Sequence, residues 1–221
     1  MFGHEKVIVF DFETTGLDPM IDSIIEIGAI RLEKRNGVYV ETGSLDVLVQ
    51  TGFPLPPKIT EITGITDVML ATEGIVARDA FARFMDLYDP SALLIAYNIG
   101  FDHAFLETFI LTNGAPGMRL DNDILDVMAV YKDRHRYPHR LQSAVQTYGI
   151  IVENAHRALD DVRATWDVLV KMEGERPTAG LYVNELGYNH KYGRPRRPIR
   201  NVSYTAQRGG MLEIEKKKTH R

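Results

Sequence analysis

The chain has 221 residues, 44% of them hydrophobic and 25% charged, which is the composition of a globular protein with one sizeable domain and an extension. It has no run of about 18 apolar residues, which argues against a membrane-spanning helix, and it begins without a signal-peptide pattern. The lack of cysteine excludes disulfides, thiolate zinc sites and a thiol nucleophile. We therefore expect a cytoplasmic protein, in which oxygen and imidazole ligands would favour magnesium or manganese as metal.

Strands and helices are predicted in chain order along residues 1–173. Apolar runs predict strands at 6–10, 23–33, 38–49, 92–97 and 120–124. Asn36-Gly37 is a strong hairpin signal, so the third strand should return antiparallel to the second. Helical spacing of apolar residues predicts helices at 75–88, 102–111, 125–133 and 141–148, and a final helix around 159–170. This order argues for a mixed α/β sheet with helices on its faces.

The charge of the chain changes sharply near residue 173. Residues 1–173 hold 15 Lys and Arg against 26 Asp and Glu, a net charge of −11, whereas residues 174–221 hold 11 against 4, a net charge of +7. The segment 188–200 is rich in Tyr, Pro, Gly, Arg and His. We therefore predict an acidic domain over 1–173 and a basic, loosely ordered C-terminal extension over 174–221.

An acidic pair follows the first predicted strand. Asp11 and Glu13 are two residues apart, so on a strand their side chains point to the same side. Burying two like charges together is costly unless a cation joins them, which raises the hypothesis of a divalent metal site. For these two residues alone, an exposed pair at the end of a strand is the alternative explanation. Glu26 lies in the second apolar strand, either behind such a site or facing outward, and is not assigned to it.

Further polar residues lie where the later helices should begin. Asn98 and Asp102 follow an apolar strand, and His156 and Asp161 lie at the entry to the last helix. Residues five apart lie about 140° apart around a helix, so His156 is expected in the preceding loop and Asp161 in the first turns. Asp102 has the alternative role of a helix N-cap, which is compatible with metal binding. Asn98 is either a turn residue or a substrate contact.

Three motifs together resemble the DnaQ-like (DEDDh) 3′→5′ exonucleases of the ribonuclease H-like superfamily, closest to the proofreading exonucleases of the DNA polymerase III epsilon type. They are Asp-Phe-Glu-Thr-Thr-Gly-Leu at 11–17, Asn-Ile-Gly-Phe-Asp at 98–102 and His-Arg-Ala-Leu-Asp-Asp at 156–161. The loop at 62–66 also resembles proofreading members. The resemblance covers about residues 5–172 and implies a ribonuclease H-like fold, a mixed five-stranded sheet flanked by helices whose first three strands are antiparallel.

The resemblance also implies a metal-dependent site. Two magnesium or manganese ions would stabilise the entering and leaving oxygens of phosphodiester cleavage. His156 would take the proton of the attacking water, since its ordinary pKa lies near neutrality. The ions would be held by the carboxylates of Asp11, Glu13, Asp102 and Asp161. The terminal nucleotide would be contacted by Thr14, Thr15, Leu17 and Asn98.

The activity implied is 3′→5′ hydrolysis of single-stranded DNA to nucleoside 5′-monophosphates, in proofreading or repair. DNA is favoured because of the loop at 62–66. One alternative is an exoribonuclease that trims RNA or short oligoribonucleotides. The others are an accessory subunit docked on a DNA polymerase through the extension, and a non-catalytic nucleic-acid-binding module. The non-catalytic module is the least expected of these, because a protein that only binds nucleic acid has no need of acidic residues that face phosphates.

Two basic segments are candidate contacts to the nucleic acid. The segment 188–200 interleaves aromatic and basic residues, which suits stacking on single-stranded bases together with phosphate contact. A disordered tail or a protein-docking segment is its alternative explanation. The other segment offers phosphate contacts or is simply a solvated loop, and consists of Arg134, His135, Arg136, His139 and Arg140 around Tyr137-Pro138.

Overall fold

A mixed five-stranded sheet lies at the centre of the computed structural model, which describes residues 3–152, 157–195 and 197–219. The strands β1–β3 pair antiparallel, β4 and β5 run parallel to β1, and the spatial order is β3-β2-β1-β4-β5. The predicted mixed sheet, with its first three strands antiparallel, is confirmed. The strands are β1 (Lys6–Thr14), β2 (Ile24–Arg35), β3 (Val38–Leu48), β4 (Leu93–Ala96) and β5 (Ile124–Asp126).

A tight turn joins β2 to β3, as the sequence predicts. Asn36 and Gly37 have φ angles of 52° and 82°. These left-handed conformations are the ones that a two-residue hairpin turn requires. The predicted antiparallel return of the third strand is therefore confirmed, with Val38 opposite Arg35.

Two strand positions differ from the prediction. The first strand was predicted to end at residue 10, but β1 continues to Thr14 because β2 pairs with it over that whole length. Asp11 and Glu13 therefore lie inside a strand rather than after it. The fifth strand was predicted at 120–124 and begins only at Ile124, where pairing with β4 starts.

Helices cover both faces of the sheet. The predicted helices are found within a few residues of their expected bounds, except that the helix predicted from 102 already begins at Ile99. Before the extension the structure contains α1 (Pro57–Thr63), α2 (Asp67–Thr72), α3 (Ala77–Leu87), α4 (Ile99–Asn113), α5 (Val127–Arg134), α6 (Leu141–Tyr148) and α7 (Ala158–Glu175). In the described ranges, no helix combines the length and apolar composition needed to cross a lipid bilayer.

Successive side chains of β1 point to opposite faces of the sheet and so belong to two separate halves of the hydrophobic core. Ile8 and Phe10 belong to the buried cluster that includes α3 and α4, whereas Val7 and Val9 belong to the cluster that includes α5, α6 and α7. Since side chains alternate along a strand, Asp11 and Glu13 continue the face of Val7 and Val9. The sequence pattern of β1 thus directs both carboxylates towards α7.

The extension is more ordered than predicted. It forms a 3-10 turn (Ala179–Tyr182), two parallel strands β6 (Glu185–Asn189) and β7 (Ser203–Gln207), and α8 (Glu213–Thr219). The expectation of loose order is therefore wrong for these segments. α7 also continues through the predicted boundary at residue 173, and the division into two domains stays a prediction.

The buried carboxylate of Asp133 explains why the extension is ordered. Asp133 on α5 is fully buried and accepts hydrogen bonds from Tyr182 Oη (2.9 Å), Gln207 Nε2 (2.8 Å) and the Ile214 N–H (2.9 Å). These partners lie 49 to 81 residues away along the chain. Such long-range contacts leave no periodic signal in the local sequence, which is why composition alone suggested a loose segment.

Candidate metal centre and active site

Three carboxylates from two elements meet above the sheet. Asp11 and Glu13 come from β1, and Asp161 comes from the first turn of α7. One carboxylate oxygen of each residue lies within 4.8 Å of those of the other two. The structure therefore brings together three of the four predicted metal ligands, because the odd-numbered face of β1 is the face that α7 covers.

Asp102 lies beside this group and is held by the same strand. It is buried in the first turn of α4, and its Oδ1 accepts a hydrogen bond from the Phe12 N–H at 3.2 Å. Because α4 begins at Ile99 with Asn98 as its N-cap residue, the alternative role of Asp102 as the N-cap is wrong. Burial, followed by the negative charge of Asp11, raises the pKa of Asp102.

The charge of the group fits a cation. Burial, and next the negative charge of Asp161, raise the pKa of Asp11 to about 8. Burial, and next the charge of Asp11, raise the pKa of Glu13 to about 9. Clustered carboxylate oxygens that repel one another in this way are the donor set that magnesium and manganese prefer. Asp11, Glu13 and Asp161, with Asp102 beside them, thus fit the predicted metal ions by their chemistry.

Glu26 belongs to this site, although the sequence left it unassigned. It lies opposite Glu13 on β2 and is fully buried. Its carboxylate accepts hydrogen bonds from Arg157 Nε at 2.7 Å and from the Ala158 N–H at 3.1 Å. The Asn36-Gly37 turn sets the register of β2 against β3 only, so it could not place Glu26 across from Glu13 on β1.

Two of the predicted substrate-binding residues, Thr14 and Thr15, donate hydrogen bonds within the loop after β1. Thr14 Oγ1 donates to the Gly16 carbonyl at 2.6 Å, and Thr15 Oγ1 donates to Asp22 Oδ1 at 3.1 Å. Both threonines are buried, whereas the side chain of Leu17 is 84% exposed at the loop. Of the three predicted contacts in this loop, Leu17 is therefore the one whose side chain is exposed, and its contact with a nucleotide stays a prediction.

Asn98 is also exposed beside the site. Its φ of 71° is left-handed, and no side-chain capping bond holds it to α4. Its N–H donates to Asp126 Oδ1 at 2.9 Å. The two roles that the sequence left open are thus compatible, because the backbone makes the turn and the side chain faces outward.

The predicted general base lies outside the described residues. His156 falls within the stretch 153–156, and the description resumes at Arg157. Its role remains the one that the sequence motif implies.

The basic segment around Tyr137-Pro138 is partly committed to internal contacts. Arg134 donates to the carbonyls of Met172 (2.5 Å) and Arg176 (3.1 Å). His135 stacks on Tyr131 and is hydrogen-bonded to Tyr148 at 2.8 Å. For Arg134 and His135 the contacts favour a structural role over phosphate binding.

Comparisons with known proteins agree with this geometry. Residues 8–169 match the model of a family described as exonucleases, of the RNase T type. The PolC-type DNA polymerase III of Thermotoga maritima is 33% identical over 171 residues, which cover 77% of this chain and 12% of the polymerase. That of Latilactobacillus sakei is 30% identical over 218 residues, which cover 96% of this chain and 14% of the polymerase. The chain thus spans only a small part of the length of these relatives.

The fold is also found among solved structures. E. coli exonuclease I in complex with a dA16 oligonucleotide superposes with a TM-score of 0.70 at 22% sequence identity, over 80% of this chain and 42% of that one. An identity this low supports the fold alone. Since the family match spans most of the chain, the chain belongs to the exonuclease family, and the predicted membership of the DnaQ-like 3′→5′ exonucleases is confirmed.

Proposed function

We propose that this chain removes nucleotides from the 3′ end of single-stranded DNA, with two magnesium or manganese ions held by Asp11, Glu13, Asp102 and Asp161. The observation that carries the proposal is the group of three carboxylates on β1 and α7, partly buried at Asp11 and Glu13 and buried at Asp161. Desolvation and the neighbouring negative charges raise the pKa values of Asp11 and Glu13. Clustered carboxylates with strongly raised pKa values are characteristic of functional sites.

Each residue has a role that follows from its place. Two bound ions would stabilise the charge on the oxygens that enter and leave the phosphorus atom. The Phe12 N–H fixes the Asp102 carboxylate, and α7 fixes that of Asp161. His156, by its place in the sequence motif, takes the proton of the attacking water. The leaving group is the 3′-oxygen of the preceding nucleotide, so the product is a nucleoside 5′-monophosphate.

Of the four predicted substrate contacts, the two with exposed side chains are proposed to touch the nucleotide directly. Leu17 packs against the terminal base, since its apolar side chain gains by leaving water. Asn98 offers an amide donor and acceptor to the terminal nucleotide. Thr14 and Thr15 act by shaping the loop that carries Leu17.

DNA is proposed as the substrate on two grounds. The relatives of this chain include PolC-type DNA polymerases, and a solved structure of the same fold is a complex with a DNA oligonucleotide. We accordingly place the activity in replication or repair, where it would work with a DNA polymerase. A cytoplasmic location also stays a prediction.

The deciding experiment uses matched 5′-labelled single-stranded DNA and RNA oligonucleotides. With magnesium or manganese, the DNA should shorten stepwise from its 3′ end and release 5′-monophosphates, and chelation should stop the reaction. Asp11→Ala is the inactive control. Faster shortening of the RNA would overturn DNA as the substrate. Equal activity of wild type and Asp11→Ala would overturn the site itself.

A further inference from the structure

Glu26 is the one fully buried carboxylate of β2, and it contacts the start of α7. Its oxygens accept hydrogen bonds from Arg157 Nε at 2.7 Å and from the Ala158 N–H at 3.1 Å. Arg157 precedes the first residue of α7, and Ala158 is that residue. Glu26 thus binds both the side chain and the backbone at one helix end, where the first N–H groups of a helix lack partners within the helix.

The helix backbone rests directly on the sheet at this point. A Cβ atom built on Gly28, two residues after Glu26 on the same face of β2, would overlap the backbone of Ala158 and Leu159. The lack of a side chain at Gly28 is therefore what allows the Glu26 carboxylate to reach the helix. The contact fixes the start of α7 relative to β2 with little freedom.

The bulk of α7 does not need Glu26 to stay on the sheet. Val162, Val168, Leu169 and Met172 are all fully buried beneath it. Burying a carboxylate is costly even when it is paired, so the Glu26–Arg157 pair is a poor device for stability alone. What the pair adds is a fixed orientation of the first turn, which carries Asp161.

We propose that Glu26 is a positioning residue for the reaction: through Arg157 and Ala158 it sets Asp161 at its distance from Asp11 and Glu13. The proposal rests on the proposed function. Residues that orient metal ligands typically contribute about 10–100-fold in activity or metal affinity.

The structure offers a matched control on the same helix. Arg163 of α7 pairs with Glu41 of β3 at 3.3 Å, which is also an ion pair between α7 and the sheet. Both side chains are exposed, at 48% and 40%, and an exposed ion pair of this kind contributes little to stability. Glu41→Gln therefore removes the same chemical group from the same interface without touching the start of the helix.

The test compares the wild-type chain with Glu26→Gln and Glu41→Gln. It measures kcat and KM on single-stranded DNA with Mn²⁺, the Mn²⁺ dissociation constant by calorimetry, and folding by circular dichroism. For folded Glu26→Gln we expect kcat to fall about 10–100-fold and Mn²⁺ binding to weaken, with KM nearly unchanged. Glu41→Gln should match the wild type. Wild-type kcat and Mn²⁺ affinity in Glu26→Gln would overturn the proposal.

A second variant distinguishes an effect of Glu26 on the orientation of the helix start from an effect of its negative charge. The same variant tests the proposal if Glu26→Gln does not fold. Arg157→Met keeps the Glu26 carboxylate but removes its side-chain partner. If Glu26 acts by orientation, Arg157→Met weakens Mn²⁺ binding, as Glu26→Gln does. If only the negative charge of Glu26 matters, removal of the nearby positive charge tightens Mn²⁺ binding, and the proposal is overturned.

Failure of the proposed function would be recognised separately. A wild-type chain that binds Mn²⁺ but degrades no oligonucleotide would overturn the function, and the Mn²⁺ affinities of the variants would still decide the role of Glu26. A wild-type chain that neither binds Mn²⁺ nor degrades an oligonucleotide would overturn both proposals.

Discussion

The Asp126 carboxylate holds the backbone of Asn98 in a left-handed turn. Asp126 Oδ1 accepts the Asn98 N–H at 2.9 Å, and Asn98 has a φ of 71°. The carboxylate also accepts the Met128 N–H at 3.0 Å, so one buried group joins the starts of α4 and α5. A left-handed residue beside a candidate site is a position where backbone and side chain can be tested separately.

Replacement of Asn98 by glycine should affect activity rather than stability. Glycine adopts a positive φ without strain, so Asn98→Gly keeps the turn and removes only the side chain. We expect KM for single-stranded DNA to rise several-fold while the urea midpoint stays the same. Asn98→Ala should in addition lose about 1 kcal/mol of unfolding free energy because alanine resists this conformation.

The control for Asn98→Gly and Asn98→Ala is Asn36→Gly, at a second left-handed asparagine. Asn36 has a φ of 52° in the β2–β3 hairpin turn. This change should leave both KM and the urea midpoint unaltered. If Asn98→Gly behaved like Asn36→Gly, the Asn98 side chain would have no part in substrate binding.

Adjacent aspartates on α7 should differ greatly in their contribution to activity. Asp161 is buried beside Asp11 and Glu13, whereas Asp160 is partly exposed in the same turn. We expect Asp161→Ala to lower kcat by about 100-fold or more, on the scale of losing a group that acts directly in the reaction. Asp160→Ala should change kcat less than about threefold and cost at most about 1 kcal/mol of helix stability. Equal losses in single-turnover assays would contradict the assignment of Asp161.

The metal-free protein should become less stable as pH rises. The pKa values of Asp11 and Glu13, about 8 and about 9, exceed their ordinary values of 3.8 and 4.5. Between these limits the folded chain holds protons that the unfolded chain has released, so unfolding releases protons and stability falls with increasing pH. Thermal unfolding with a chelator, between about pH 5 and about pH 8.5, should show this decrease.

Magnesium should oppose the loss of stability that the metal-free protein shows as pH rises. A cation competes with the protons on Asp11 and Glu13, so Mg²⁺ affinity and the Mg²⁺-induced rise in Tm should both increase with pH over this range. Asp11→Asn removes one of the competing groups and should flatten both profiles. A Mg²⁺ effect that is independent of pH would show that these carboxylates do not bind the ion.

Sequence reasoning was strongest where local patterns decide the structure. The Asn36-Gly37 turn and the apolar runs of the strands were enough to predict the sheet. The acid alternation on β1 raised Asp11 and Glu13 as candidates, and the resemblance of the three motifs selected them. Glu26 was missed because a single acid in a strand can face either way until the neighbouring helix is placed. The order of the extension was missed because Asp133 meets its partners only in three dimensions.

Asp133 should be essential for the stability of the whole chain. Asp133→Ala removes the carboxylate that accepts hydrogen bonds from the Ile214 N–H and from Gln207 Nε2. The expected loss is about 3 kcal/mol of unfolding free energy. Asp133→Ala should therefore lower the urea midpoint strongly. Asp121 pairs with Arg200 only at the surface, at 3.8 Å, so Asp121→Ala should cost less than about 0.5 kcal/mol. A small effect at Asp133 would mean that the extension packs independently of it.

Replacement of Gly28 by alanine should disturb both stability and activity. The added methyl group would meet the backbone of Ala158 and Leu159, which cannot move without displacing the start of α7. We expect a loss of about 1–3 kcal/mol of unfolding free energy from overpacking. Displacement of the helix start also moves Asp161, so kcat should fall in the molecules that remain folded.

Gly43 on β3 provides the matched substitution for Gly28. A Cβ there would lie 3.8 Å from the Leu87 side chain, an ordinary contact distance. Gly43→Ala should therefore be neutral or slightly stabilising, because alanine reduces the freedom of the unfolded chain. Urea unfolding and single-turnover kinetics measure both variants under the same conditions. If Gly28→Ala were as harmless as Gly43→Ala, α7 would have room to shift over β2, and the close contact between Glu26 and the helix start could not be what fixes Asp161.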